Sequence, residues 1–104
     1  MKFAKKSLGQ NFLIDKNIIR KIINSVDVRN KNVVEIGPGK GALTEEILKN
    51  NPKSLTLIEK DYSLFENLKL KFSHYNFLEF YNEDILNLNI EKIIKKETII
   101  FGNL

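Results

Sequence analysis

Five consecutive residues, Gly37-Pro38-Gly39-Lys40-Gly41, restrict the fold more than any other part of this chain. They interrupt an apolar run, Val33-Val34-Glu35-Ile36, and precede Ala42, Leu43, Ile47 and Leu48, which recur at helical spacing. Three glycines and a proline in five positions extend neither a strand nor a helix, because proline lacks a donor and glycine loses the most backbone freedom on ordering. The segment therefore reads as a tight turn from a short strand into a helix. A strand apolar on both faces belongs inside a covered sheet, and strand, turn and helix together open a βαβ unit.

The remainder of the chain repeats that alternation. Residues 54–58 form a second strand candidate, and Asp61 starts a helix with Leu64, Phe65, Leu68 and Phe72 on one stripe. A third strand is expected at 77–81, a loop at 82–89, a short helix at 90–95 and a fourth strand at 98–101. Upstream, residues 1–10 show no period and read as an arm or loop. Asp15 can cap a helix from about Lys16, with Ile18, Ile19, Ile22, Ile23 and Val26 on its apolar face and Lys16, Arg20, Lys21 and Asn24 outward. The expectation is a basic arm and helix over residues 1–32, then a doubly wound α/β domain over 33–104 with helices on both faces of a parallel sheet.

Composition narrows the chemistry. A chain of 104 residues with 42% hydrophobic and 29% charged side chains supports one globular core. Without cysteine there are no disulfides, thiolate nucleophiles or zinc–thiolate sites, and with one histidine, His74, neither a catalytic triad nor a multi-histidine metal site is expected. No apolar run approaches the roughly 20 residues of a membrane span, and no secretory signal pattern opens the chain. A soluble, cytoplasmic protein is the expectation. Residues 1–32 carry eight Lys or Arg against two acids, whereas residues 33–104 carry nine against eleven, so the net charge of +4 originates in the first third. Lys2, Lys5, Lys6, Lys16 and Lys21 are candidates for phosphate contacts with a polyanion.

The glycine turn lacks the Gly-Lys-Ser/Thr ending of a P-loop but fits Gly-x-Gly-x-x-Ala through Ala42. Glu59 ends the second strand 22 residues after Gly37, where an acid reaches ribose hydroxyls. Those two features admit a nicotinamide or flavin protein as readily as an S-adenosylmethionine protein. Three others favour the latter. A basic segment precedes the first strand of the unit; Glu35 stands beside the loop, where a carboxylate suits a sulfonium and repels a pyrophosphate; and Asp84 follows the third strand, within reach of an adenine amino group. Glu35, Glu59 and Asp84 are expected to form an acidic rim around a cationic cofactor.

Ser7-Leu8-Gly9-Gln10-Asn11-Phe12-Leu13, the run Val34 to Glu45, Leu57-Ile58-Glu59-Lys60-Asp61, Glu83-Asp84-Ile85 and Phe101-Gly102-Asn103-Leu104 occur in the order found in the ribosomal RNA adenine dimethyltransferases. The chain resembles this family from about Lys5 to its last residue, and within it the bacterial small-subunit branch. The resemblance implies a Rossmann-like S-adenosylmethionine-dependent methyltransferase fold and dimethylation of the exocyclic amino group of adenines in small-subunit ribosomal RNA. It further implies that Asn11 and Leu13 close over S-adenosylmethionine, Gly37 lies against its methionine part, Glu59 holds the ribose hydroxyls and Asp84 meets the adenine. Asn103, at the junction of cofactor and target base, would accept hydrogen bonds from the amino group of a flipped adenine and is the catalytic candidate.

In relatives Asn103 opens an Asn-Leu-Pro-Tyr/Phe motif, but this sequence stops at Leu104. The expectation is thus the front part of a larger methyltransferase domain, monomeric when full length, with small-subunit ribosomal RNA or a pre-ribosomal subunit as partner and no metal. Two other functions stay open on the sequence: a non-catalytic RNA- or cofactor-binding fragment, and a nicotinamide-dependent oxidoreductase.

Overall fold

A computed structural model of the chain describes residues 2–5, 16–95 and 97–102. Its elements are β1 (Lys2–Lys5), α1 (Lys16–Asn24), β2 (Asn32–Ile36), α2 (Ala42–Lys49), β3 (Ser54–Ile58), α3 (Tyr62–Lys71), β4 (Leu78–Tyr81) and β5 (Thr98–Gly102). Two 3₁₀ turns, Ile85–Asn87 and Ile90–Lys92, lie between β4 and β5.

The five strands form one sheet in the order β1-β5-β2-β3-β4, every pair parallel. From β2 the chain steps outward to β3 and β4, then returns to lay β5 on the other side of β2. Strand order therefore reverses between β2 and β5, and open α/β sheets hold ligands at the carboxyl end of such a switch point. The register sets Glu35 between Leu57 and Phe101, and Ile36 between Ile58 and Gly102.

Residues on alternate strand positions feed two cores. Val33, Leu55, Leu57, Ile99 and Phe101 face one side, where Ile19 and Ile23 of α1, Leu43, Ile47 and Leu48 of α2, and Leu68 with Phe72 from α3 and its cap pack on them. Val34, Ile36, Ile58 and Ile100 face the other, beneath Ile85, Leu88, Ile90, Ile93 and Ile94 of the 3₁₀ segment. The α1 stripe is as expected, with Ile19 and Ile23 buried and Arg20, Lys21 and Asn24 exposed.

The structure departs from expectation in three places. Among the described residues, α1, α2 and α3 all lie on one face, and the second face is covered by the 3₁₀ segment. Residues 90–95 make only a 3₁₀ turn, and a second turn interrupts the expected loop, because Asp84 and Asn89 accept the Leu86 and Glu91 amides and cap single turns that do not propagate. Finally, Lys2–Lys5, read as arm or loop, is a strand paired with β5 in the register Lys2 to Ile99 through Lys5 to Gly102. An unpaired β5 edge would expose a row of backbone donors and acceptors, and β1 supplies their partners.

Candidate functional site

The carboxyl ends of β2, β3 and β4 bring together the glycine turn, Glu59 and the segment from Asn82 to Asp84. At the turn, the Gly37 amide donates to the Ile58 carbonyl at 2.8 Å and the Gly41 amide to Pro38 at 3.0 Å. Gly39 and Gly41 both hold positive φ, +60° and +89°, a region costly for any residue with a Cβ. Their surroundings differ. A Cβ on Gly41 would sit 2.8 Å from the Phe72 ring, whereas among the described residues nothing lies within 4 Å of the corresponding point on Gly39. The turn is thus packed from below by Phe72 and open above Gly39.

Glu59 follows β3 and is 5% exposed. Its Oε1 accepts the Gly39 amide and its Oε2 the Asp61 amide, each at 3.0 Å. Two backbone donors satisfy a buried carboxylate that would otherwise be strongly disfavoured. Each oxygen keeps further acceptor capacity. The Asn82 side-chain amide, at the end of β4, donates to the carbonyls of Glu59 and Lys60 at 2.9 and 3.2 Å, and the Glu59 amide donates to Tyr81 at 2.9 Å. Glu59 is therefore anchored by the glycine turn on one side and by the end of β4 on the other. Asp84, two residues past Asn82, is partly exposed and uses Oδ1 to accept the Leu86 amide at 2.9 Å. It acts as a turn former here while its second oxygen faces no bond of that cap.

One expected rim residue is displaced. Glu35 is fully buried, and its Oε1 accepts the Thr44 hydroxyl at 2.5 Å. It shares strand parity with Val33, so its side chain enters the core under α2 instead of lining the sheet edge. Gly37, Glu59 and Asp84 do stand at that edge. Asn11, Leu13 and Asn103 lie outside the described residues, as do Lys6 and Asp15.

Sequence reasoning missed Asn82 and Thr44. Asn82 reads as one more polar residue in a loop. Thr44 sits within the stripe of Leu43, Ile47 and Leu48, and that placement was the available sign that it is buried. Burial first, then the hydrogen bond and charge of Glu79, raise the Tyr81 phenol pKa above its ordinary value. His74 is exposed and packs against Tyr75 with ring centroids 4.2 Å apart. Among the described residues no cluster of three or more His, Cys, Asp or Glu could hold a metal ion, and no helix is long and apolar enough to cross a membrane.

Chemically, the edge offers a glycine turn with open space above it and two carboxylates at successive strand ends. Such a set suits a hydroxyl-bearing ligand with an amino-substituted ring and, if it is charged, a positive charge.

Comparison with known proteins agrees in fold and in kind. The family model for ribosomal RNA adenine dimethylase matches residues 1–104. The chain is 48% identical over 101 residues to ribosomal RNA small subunit methyltransferase A of Pelagibacter ubique, covering 97% of this chain and 38% of that protein. It is 48% identical over 103 residues to the protein of the same name from Mycoplasmopsis synoviae, covering 99% and 39%. Among solved structures, the 23S rRNA methyltransferase ErmE superposes with a TM-score of 0.71 at 32% identity, over 88% of this chain and 36% of that one. A dimethyladenosine transferase from Plasmodium falciparum gives a TM-score of 0.71 at 27% identity, over 86% and 32%. The chain spans less than two fifths of the length of these relatives.

Proposed function

This chain belongs to the ribosomal RNA adenine dimethylase family, and on that premise we propose that it is the cofactor-binding front part of an S-adenosylmethionine-dependent enzyme that dimethylates adenines of small-subunit ribosomal RNA. The observation that carries the proposal is Glu59, a buried carboxylate fixed by the Gly39 amide at the edge of an open glycine turn. Among the described residues the space above Gly39 is open, and a Cβ at that position would project into it, so the turn leaves room for a ligand against its backbone.

Bound there, S-adenosylmethionine supplies a methyl group on a cationic sulfur. The chain's own part is positioning. Gly37 and Gly39 allow close approach of the methionine portion, Glu59 accepts the ribose hydroxyls with its remaining lone pairs, and Asp84 accepts the adenine amino group. Asn103 follows β5 directly in the sequence and is the residue that the family resemblance assigns to the target base. In that role its side-chain oxygen would hold the target amino nitrogen in line with the methyl group, and orientation of that kind accounts for a large share of a displacement barrier. Asn11 and Leu13 would close over the cofactor. The proposal includes small-subunit ribosomal RNA or a pre-ribosomal subunit as partner, a cytoplasmic setting and a monomeric full-length form.

Calorimetric titration of the chain with S-adenosylhomocysteine tests it. Wild type should bind, and Glu59→Ala should weaken binding at least tenfold, because hydrogen bonds to a charged acceptor contribute about 1.5–3 kcal/mol each. A folded wild-type chain with no detectable binding would refute the reading.

A further inference from the structure

We propose that Glu35 and Thr44 form a buried positioning pair that sets the glycine turn for its ligand, a role that rests on the cofactor-binding reading above. Glu35 lies two residues before the turn and Thr44 lies three residues after it, in the first turn of α2. Their bond, Thr44 Oγ1 to Glu35 Oε1 at 2.5 Å, joins the two sides of the turn beneath it. Both residues are 0% exposed.

The setting makes the pair costly unless it does something that an apolar pair would not. Glu35 is flanked in the sheet by Leu57 and Phe101, each 1% exposed, and Thr44 shares its helix face with Leu43, Ile47 and Leu48. Apolar residues of matching volume would fill the same space without desolvating a carboxylate, and buried polar pairs often contribute less stability than such replacements. What the polar pair adds is direction. The hydrogen bond adds a direction-dependent restraint between α2 and β2 to the apolar packing of Leu43, Ile47 and Leu48. That restraint acts on the first turn of α2 and, through its N-cap Gly41, on the aim of the preceding amides. The Gly39 amide is then held from the other side by Glu59 Oε1. Two carboxylates thus fix one turn, Glu59 at its exposed rim and Glu35 from within the core. A preorganised turn binds more tightly because less freedom is lost on association.

The test uses the 104-residue chain with Thr44→Val, Thr44→Ser and Glu35→Gln. Backbone amide hydrogen exchange is read by NMR, and S-adenosylhomocysteine affinity by calorimetry, well below each variant's Tm. In Thr44→Val, exchange at Gly39 and Gly41 should accelerate about tenfold beyond any change at Leu57 and Phe101, and affinity should fall about tenfold. Thr44→Ser keeps the hydroxyl, and Glu35→Gln keeps a carbonyl acceptor for it. Both should stay within about threefold of wild type in turn exchange and in affinity. A purely structural role would move turn and strand amides together, and that result would overturn the proposal. Should Thr44→Val fail to fold, a Thr44→Ser chain with accelerated turn exchange would overturn it equally, since the hydroxyl and its Glu35 acceptor are both retained. If wild type binds no ligand while Thr44→Val selectively loosens the turn, the cofactor reading fails and the pair stands. If wild type binds and Thr44→Val binds equally well, the pair fails and the cofactor reading stands.

Discussion

Gly39 and Gly41 stand two residues apart, both with positive φ, yet alanine should injure the protein differently at each. At either position a Cβ in the left-handed region costs about 1–2 kcal/mol. At Gly41 the new atom also meets the Phe72 ring at 2.8 Å, with Leu68 at 3.2 Å. Phe72 is 4% exposed and Leu68 2%, so neither can swing aside, and overpacking of this kind adds about 1–3 kcal/mol. Gly41→Ala should therefore unfold about 2 kcal/mol more easily than Gly39→Ala, with a Tm roughly 8–16 °C lower for a domain of this size. Binding should rank the other way. The Gly39 Cβ would enter the open space above the turn and lower S-adenosylhomocysteine affinity at least tenfold, while the affinity of folded Gly41→Ala should stay within a few-fold of wild type. Thermal denaturation by circular dichroism and calorimetric titration give the two quantities separately. Equal destabilisation by the two substitutions would refute the assignment of Phe72 as the floor of the turn. Retention of affinity by Gly39→Ala would refute the placement of the ligand above it.

Asn82→Ala removes both donors to the Glu59 and Lys60 carbonyls; stability should fall by about 1–2 kcal/mol in urea denaturation, with S-adenosylhomocysteine affinity down several-fold as Glu59 loses its support. Phe101→Ala empties a fully enclosed site in β5 and should cost about 3–5 kcal/mol; that approaches the whole stability of a marginal domain, so little cooperative unfolding should remain in a thermal scan. Tyr81 gives a pH dependence. Its phenol pKa is raised in the folded state, by burial first and then by Glu79, so the native chain holds that proton more tightly than the unfolded one. The resulting stability is complete below about pH 10, the unfolded value, and is lost as pH rises through the folded value. Tyr81→Phe should therefore show a shallower alkaline decline than wild type in denaturation measured from pH 8 to 11, and parallel curves would contradict the sign.

The strand and helix order of residues 16–81 was legible because each element carries its own period and its own stop. The Ile18 to Val26 stripe, the glycine turn, Pro52 ahead of β3 and Asp61 as cap of α3 are all local signals. Asp61 indeed accepts the Leu64 amide at 2.9 Å. The rest depended on tertiary pairing. Lys2–Lys5 has no strand period, and its place beside β5 comes from backbone groups that carry no side-chain pattern. Residues 84–95 hold Ile85, Leu88, Ile90, Ile93 and Ile94, enough apolar surface to cover a sheet face, but Asp84 and Asn89 hold the backbone in single turns. The expected second helical layer failed there because local side-chain caps outcompeted helix propagation, whose first turn is costly.

The site divides along the same line. The places of Glu59 and Asp84 at the sheet edge could be read from spacing alone, since Glu59 follows a strand at a known distance from the glycine turn and Asp84 comes after the next strand. Glu35 was found but misdirected. In Val33-Val34-Glu35-Ile36 both strand faces are apolar, so alternation does not reveal which layer receives the acid. A second pattern does reveal it. Thr44 is the polar member of an otherwise apolar helix stripe, and Glu35 the polar member of the otherwise apolar run Val33 to Ile36. A buried hydroxyl and a buried carboxyl each require a partner, and a short turn between their elements leaves each within reach of the other. Two polar exceptions in consecutive apolar elements are thus better read as one contact than as two surface residues. By that rule the Glu35–Thr44 bond could have been read from the sequence, and the acidic rim would have been drawn with Glu59 and Asp84 alone.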